Sequence, residues 1–128
     1  MPFATFDADE AFYESFDKTA LRELHDKALA KDLEFARIKV EDSSANFLLI
    51  SGSDDRVWSA DAMSKSIVKT FERAEKSSQV KHLHFDGAGH SLIMPGLPSG
   101  ERLGGSALVN ACADKTAWAA LRARLGLS

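Results

Sequence analysis

The stretch Phe47-Leu48-Leu49-Ile50-Ser51-Gly52-Ser53-Asp54-Asp55 decides how this chain is read. Four consecutive apolar residues, bounded by Asn46 and by Ser51-Gly52, read as a strand buried on both faces of a parallel sheet. A polar turn, Ser51 to Asp55, leaves its C-terminal end. Met63, Ile67, Val68, Phe71 and Ala74 then recur at helical spacing, which predicts a helix from about Ala60 to Lys76, with Ser59 as its N-cap and Ser77-Ser78 at its end. Val80 to Phe85 reads as a second strand, broken by Gly87-Ala88-Gly89, and His90 follows directly. Two strands separated by a helix imply a parallel pair with a right-handed crossover.

Outward from this unit, Ser91 to Gly105 carries Pro95, Pro98 and four glycines and reads as a loop. A last helix is expected from about Ser106 to Leu125, with Leu108, Ala111, Cys112, Trp118, Leu121 and Leu125 on one face. Cys112 on that face reads as a packed core thiol. On the N-terminal side, residues 1–37 form a lead-in segment, distinct from an α/β portion over residues 38–128. Leu21, Leu24, Ala28 and Leu29 predict a helix there from about Lys18 to Lys31, preceded by an aromatic cluster of Phe12, Tyr13 and Phe16. The fold class is α/β, with an incomplete sheet. Two parallel strands are too few to stand alone, so either the lead-in adds strands or another chain completes the sheet.

Composition narrows the function classes. Of 128 residues, 45% are hydrophobic and 27% charged, which excludes wholesale disorder. A net charge of −3 without basic blocks gives no reason to expect nucleic acid as a partner. No apolar run approaches a membrane span, and the N-terminus lacks the basic and apolar regions of a signal peptide. The single cysteine, Cys112, excludes an intrachain disulfide and fits a reducing, cytoplasmic setting. One Cys and four scattered His give no zinc-ligand spacing, so neither metal nor cofactor is expected.

The chemistry-bearing residues gather where parallel sheets place active sites, past the C-terminal ends of strands. Asp54 and Asp55 follow the first strand and His90 the second. Parallel neighbours lie about 4.8 Å apart, close enough for such loops to bring an Asp and a His into hydrogen-bonding reach. A carboxylate on one imidazole nitrogen fixes the tautomer and supports the imidazolium formed when the other nitrogen takes a proton. Spacing alone leaves the alternative open that the acidic pair caps a turn and the histidine is structural.

A family resemblance bears on that choice. Leu48-Leu49-Ile50-Ser51-Gly52-Ser53-Asp54-Asp55-Arg56-Val57-Trp58 resembles the acid loop of α/β-hydrolases, and Phe85-Asp86-Gly87-Ala88-Gly89-His90 resembles their histidine loop. The Asp-Asp-x-x-Trp form resembles more narrowly the C-terminal domain of the bile acid-CoA:amino acid N-acyltransferase and acyl-CoA thioesterase family. Pro95 and Pro98 after His90, Gly104-Gly105 before an Ala-rich helix, and Trp118 within it agree. The resemblance covers roughly Ala36 to Leu125, and dienelactone-hydrolase-like enzymes share much of it. It implies the last two parallel strands of an α/β-hydrolase with flanking helices, Asp55 as triad acid and His90 as general base. Asp54 then matches the acidic or polar residue that precedes the triad acid; on its own it reads as a capping or turn residue, and Trp58 as a packing residue.

The nucleophile is where the chain departs from this pattern. Enzymes of that fold carry it on a G-x-S-x-G elbow, ahead of the acid and the histidine. Ser15, Ser43 and Ser44 lack flanking glycines, and Gly104-Gly105-Ser106-Ala107-Leu108 lacks the final glycine and follows His90. Two functions therefore lead, with a fragment of a dienelactone-hydrolase-like esterase and a stand-alone α/β binding domain unrelated to hydrolases as the further alternatives. One is the C-terminal part of an acyl-CoA thioesterase or acyltransferase, inactive alone and completed by an N-terminal half. The other is a non-catalytic remnant or partner-binding module acting through its open sheet edge, as a homo-oligomer or with another chain. In the first, an acyl-CoA-type substrate is expected.

Overall fold

The structure is a computed structural model and describes residues 18–30, 37–92, 95 and 101–127. The expected cluster of Phe12, Tyr13 and Phe16 lies outside these residues. Helix α1 (Lys18–Leu29) is followed, among the described residues, by a 3-10 turn at Val40–Asp42 and strand β1 (Phe47–Gly52). Helix α2 (Ala60–Arg73) leads through a second 3-10 turn (Ser77–Gln79) into strand β2 (Val80–Phe85). A third 3-10 turn (Glu101–Leu103) precedes the last helix, α3 (Ala107–Arg124). Among the described residues the sheet has two strands, paired in parallel from Phe47↔Val80 to Gly52↔Phe85. This register sets the C-terminal ends of both strands side by side, so the loops carrying Asp55 and His90 start from one edge.

The strand alternation divides the residues between two faces. On one face Phe47 meets Phe71 of α2, with ring centroids 5.2 Å apart, and Phe71 is fully buried. On the other, Ile50 and Phe85 pack against Ala88, Leu92 and Ala113. The sequence predicts Phe47 to Ile50 buried on both faces, but all four are only half-buried. Two strands have too few neighbours to cover an apolar run meant for the middle of a sheet.

The last helix departs from expectation more sharply. The predicted apolar face is turned outward: Leu108 is 75% exposed, Leu125 62%, and Cys112 is exposed rather than a packed core thiol. Asn110, Ala113, Asp114 and Ala117 are buried instead, at the i, i+3, i+4, i+7 spacing of one helical stripe. The reason is close approach. The stripe meets loop backbone, where small side chains and an amide fit and leucines do not. Capping departs in one detail too. Ser59 occupies the N-cap of α2 but makes no cap hydrogen bond, its hydroxyl donating instead to Asp26 of α1. Ser106 caps α3 by accepting from the Val109 amide.

Two outcomes follow from this packing. Phe71→Ala is expected to cost about 3–5 kcal/mol of unfolding free energy, measured by urea denaturation, because it empties the α2–sheet contact. Burial also holds the His82 imidazole below its ordinary pKa, outweighing the nearby Asp61 carboxylate. The unfolded chain then binds the proton first, so His82 stabilises the fold fully above about pH 6.5 and less as pH falls through its lower folded value. A urea midpoint that declines from pH 7 to pH 5, less steeply in His82→Gln, is the expected result.

Candidate active site

The acid loop begins where β1 ends. Ser53 N–H donates to Phe85 O at 3.1 Å and Asp54 N–H to Ala88 O at 2.9 Å, so the acid loop is hydrogen-bonded to the histidine loop from its first residues. The Ser53 hydroxyl donates to Asp86 at 2.9 Å and accepts from Gly87 N–H at 2.7 Å. Ala88 bridges to Gly105 in antiparallel fashion, and Leu103 O accepts from both Arg56 N–H and His90 N–H. The acid loop, the histidine loop and the loop before α3 thus share one backbone network.

Glycine is required where these backbones cross. A Cβ on Gly89 would overlap the Gly104 backbone, the nearest Cα falling at 2.9 Å. Gly104 has φ +99, disfavoured for other residues, and a Cβ there would strike the Asp54 carbonyl. Asn110 locks the crossing from α3. Fully buried, its Oδ1 accepts from Gly89 N–H at 2.8 Å and its Nδ2 donates to Gly104 O at 3.0 Å. Asp54 adds a second lock, accepting from Gly105 N–H at 2.7 Å. That backbone hydrogen bond, helped by Arg56, holds the Asp54 carboxyl below the usual carboxylate range against a smaller effect of burial. Asp54 is therefore placed as a turn and loop-pinning residue.

Asp55 and His90 come together within this frame. The Asp55 side chain is 4% exposed. Its Oδ1 accepts from the amides of Val57 at 2.8 Å and Trp58 at 3.2 Å, and its Oδ2 lies 3.0 Å from His90 Nδ1. An ionised carboxylate only accepts, so a hydrogen bond between the two places a proton on Nδ1. Trp58 packs edge-to-face on His90 at 4.9 Å and on His25 of α1 at 5.6 Å, limiting rotation of the His90 imidazole. Helix α1 buttresses the acid loop further. Arg22 donates to the Asp55 carbonyl at 2.6 Å, and Asp26 accepts from Ser59.

A cavity of about 220 Å³ opens beside the pair, lined by Ile50, Ser51, Asp55, Trp58, His90 and Leu92 among others. Cys112 is not among its lining; it borders a separate groove with His84, Phe85 and Asp86. Sequence reading missed three kinds of residue. Asn110 gave a signal that was passed over: an asparagine is a poor residue for a helix interior unless its side chain has work elsewhere. Arg22 and Asp26 gave none, because their contacts join α1 to residues more than 30 positions away. Asp61, His82 and His84 form a third group whose ligand-type atoms all lie within 4.8 Å. Only His82-x-His84, two residues facing one way on a strand, was legible in advance.

A family model described as "BAAT / Acyl-CoA thioester hydrolase C terminal" matches residues 2–123. A comparison with curated proteins gives no match. No helix among the described residues is long and apolar enough to cross a membrane.

Asn110→Ala leaves a buried amide and a buried carbonyl without partners. The expected loss is about 1–3 kcal/mol for each group left unsatisfied. Urea denaturation checks the total. Amide hydrogen exchange at Gly89 checks the location, with faster exchange expected there than in the sheet.

Proposed function

Because the chain belongs to the BAAT / acyl-CoA thioester hydrolase C-terminal family, we propose that Asp55 and His90 are the acid and base of an acyl-transfer triad whose nucleophile lies outside these 128 residues. The observation that carries this reading is the Asp55–His90 contact, with Nδ1 engaged at 3.0 Å and Nε2 left to face a reacting group. In the proposed reaction, His90 Nε2 takes the proton of a serine or cysteine nucleophile as that group attacks a thioester carbonyl. Asp55 holds the tautomer and balances the imidazolium. His90 then returns the proton to the departing thiol, and the acyl-enzyme passes its acyl group to water or to an amine.

Two features favour completion by further polypeptide. A cavity of about 220 Å³ falls below the roughly 300–1,000 Å³ usual for small-molecule sites, too small to bury an acyl-CoA. The apolar strand β1 is half-exposed along Phe47 to Ile50, which suits a further strand and its covering helix. The partner proposed is therefore a nucleophile-bearing N-terminal half, and the substrate an acyl-CoA-type thioester. A homo-oligomer through the same edge, or a non-catalytic binding module, is the competing use of that edge.

The test joins the chain to a nucleophile-bearing N-terminal half from the same family and assays acyl-CoA hydrolysis. The chain alone is expected to give no turnover and the joined protein measurable turnover. His90→Ala in the joined protein is expected to lower kcat by about 10³-fold or more. A joined protein that keeps full activity in His90→Ala would overturn the assignment.

A further inference from the structure

On the face of the sheet that meets α2, a polar cluster interrupts the apolar contact. Phe47 shares this face with Ser51, whose register partner is His84, and His82 points the same way two residues earlier. The Ser51 hydroxyl is buried and touches both rings, His82 Nε2 at 2.8 Å and His84 Nδ1 at 3.1 Å. Asp61, in the first turn of α2, brings its Oδ1 to 3.1 Å from the same His84 nitrogen. That oxygen is buried and makes no hydrogen bond. A buried carboxylate oxygen facing only a ring nitrogen calls for a proton or a metal cation between the two.

We propose that Asp61, His82 and His84 form a binding site for a divalent transition-metal ion, with Zn²⁺ as its occupant, that ties the first turn of α2 to β2. Two imidazoles and one carboxylate are a nitrogen-rich, borderline donor set of the kind zinc takes with three protein ligands and a water. Their ligand atoms lie within 4.8 Å of one another. Bonds of about 2.0–2.1 Å require tetrahedral ligand atoms roughly 3.3 Å apart, so the cluster closes by rotation of side chains rather than of backbone. His84, 35% exposed, has room to turn. Lys65 donates to the other carboxylate oxygen, Asp61 Oδ2, at 2.7 Å and leaves Oδ1 for the ion. Its side chain is largely exposed and can swing away from the incoming charge. Ser51, displaced from the ring lone pairs, remains beside them as a hydroxyl that orients the rings.

This site is separate from the Asp55–His90 pair, and its failure would leave that assignment untouched. Its consequence is mechanical. The ion fixes the start of α2, the helix that the acid loop runs into, against the strand that feeds the histidine loop.

The test titrates the full chain, stripped with chelator, with Zn²⁺, with Co²⁺ and with Mg²⁺. One Zn²⁺ per chain and a raised thermal midpoint are expected, with visible d–d absorption from Co²⁺ and no response to Mg²⁺. Changes outside the ligand shell already weaken metal sites 10–100-fold, so His84→Gln and Asp61→Asn are each expected to weaken Zn²⁺ binding by more than about 100-fold. These two positions are partly exposed, and circular dichroism of each variant verifies folding. Cys112→Ser is expected to bind as the parent does. No stoichiometric uptake by the parent would overturn the proposal. So would uptake that survives His84→Gln and Asp61→Asn, or uptake lost in Cys112→Ser, which would mark adventitious binding at the exposed thiol.

Discussion

The Asn110 side chain is the contact on which the arrangement of this molecule turns. One amide group, fully buried, satisfies the Gly89 amide on one side and the Gly104 carbonyl on the other. It does so at the point where two loop backbones pass too close for any side chain to intervene. Without that bridge the Gly89 amide of the histidine loop and the Gly104 carbonyl of the loop before α3 would both lose their buried partner. With it, His90 leaves the crossing in one direction, toward Asp55. The same constraint explains why α3 buries Ala113 and Ala117 and exposes Leu108. The helix is drawn in close by Asn110, and only small residues tolerate that distance.

Asp55 is held as firmly from the other side. Its two oxygens divide their tasks, Oδ1 fixed by backbone amides and Oδ2 offered to His90. Helix α1 backs the loop through Arg22, Asp26 and the His25–Trp58 contact. The pair is therefore held by contacts from three sides, through the backbone amides, the Trp58 ring and helix α1. The sheet beneath it is the opposite case. Two half-buried strands give a sound platform for the loops and an unfinished edge beside them, in keeping with the C-terminal part of an α/β-hydrolase fold that the family membership implies.

Much of this was legible in the sequence, for definite physical reasons. The apolar run Phe47 to Ile50 and the stretch Val80 to Phe85 end in polar or glycine-rich turns, and both strands lie where those patterns place them. Parallel geometry made the juxtaposition of Asp55 and His90 feasible, since loops leaving neighbouring strands at one end can meet, and the family resemblance of the two loops singled the pair out. Helix α3 misled because periodicity reports which residues are apolar, not which face a close contact selects. Cys112 and Leu108 are apolar enough for a core but offer no amide to the Gly89 and Gly104 backbone, which Asn110 supplies. The contacts of Arg22 with Asp55, of Asp26 with Ser59 and of Asp61 with His84 were hidden for another reason. Each joins elements distant in sequence, and no local pattern encodes the partner.

The central claim is that the Asp55 carboxylate fixes His90 as the Nδ1–H tautomer. Long-range ¹H–¹⁵N correlation of the histidine rings measures this directly. His90 is expected to carry its proton on Nδ1, slow to exchange and shifted downfield, and to lose that signal in Asp55→Ala with the other rings unchanged. A His90 ring protonated on Nε2, or one whose signals are the same in Asp55→Ala, would contradict it.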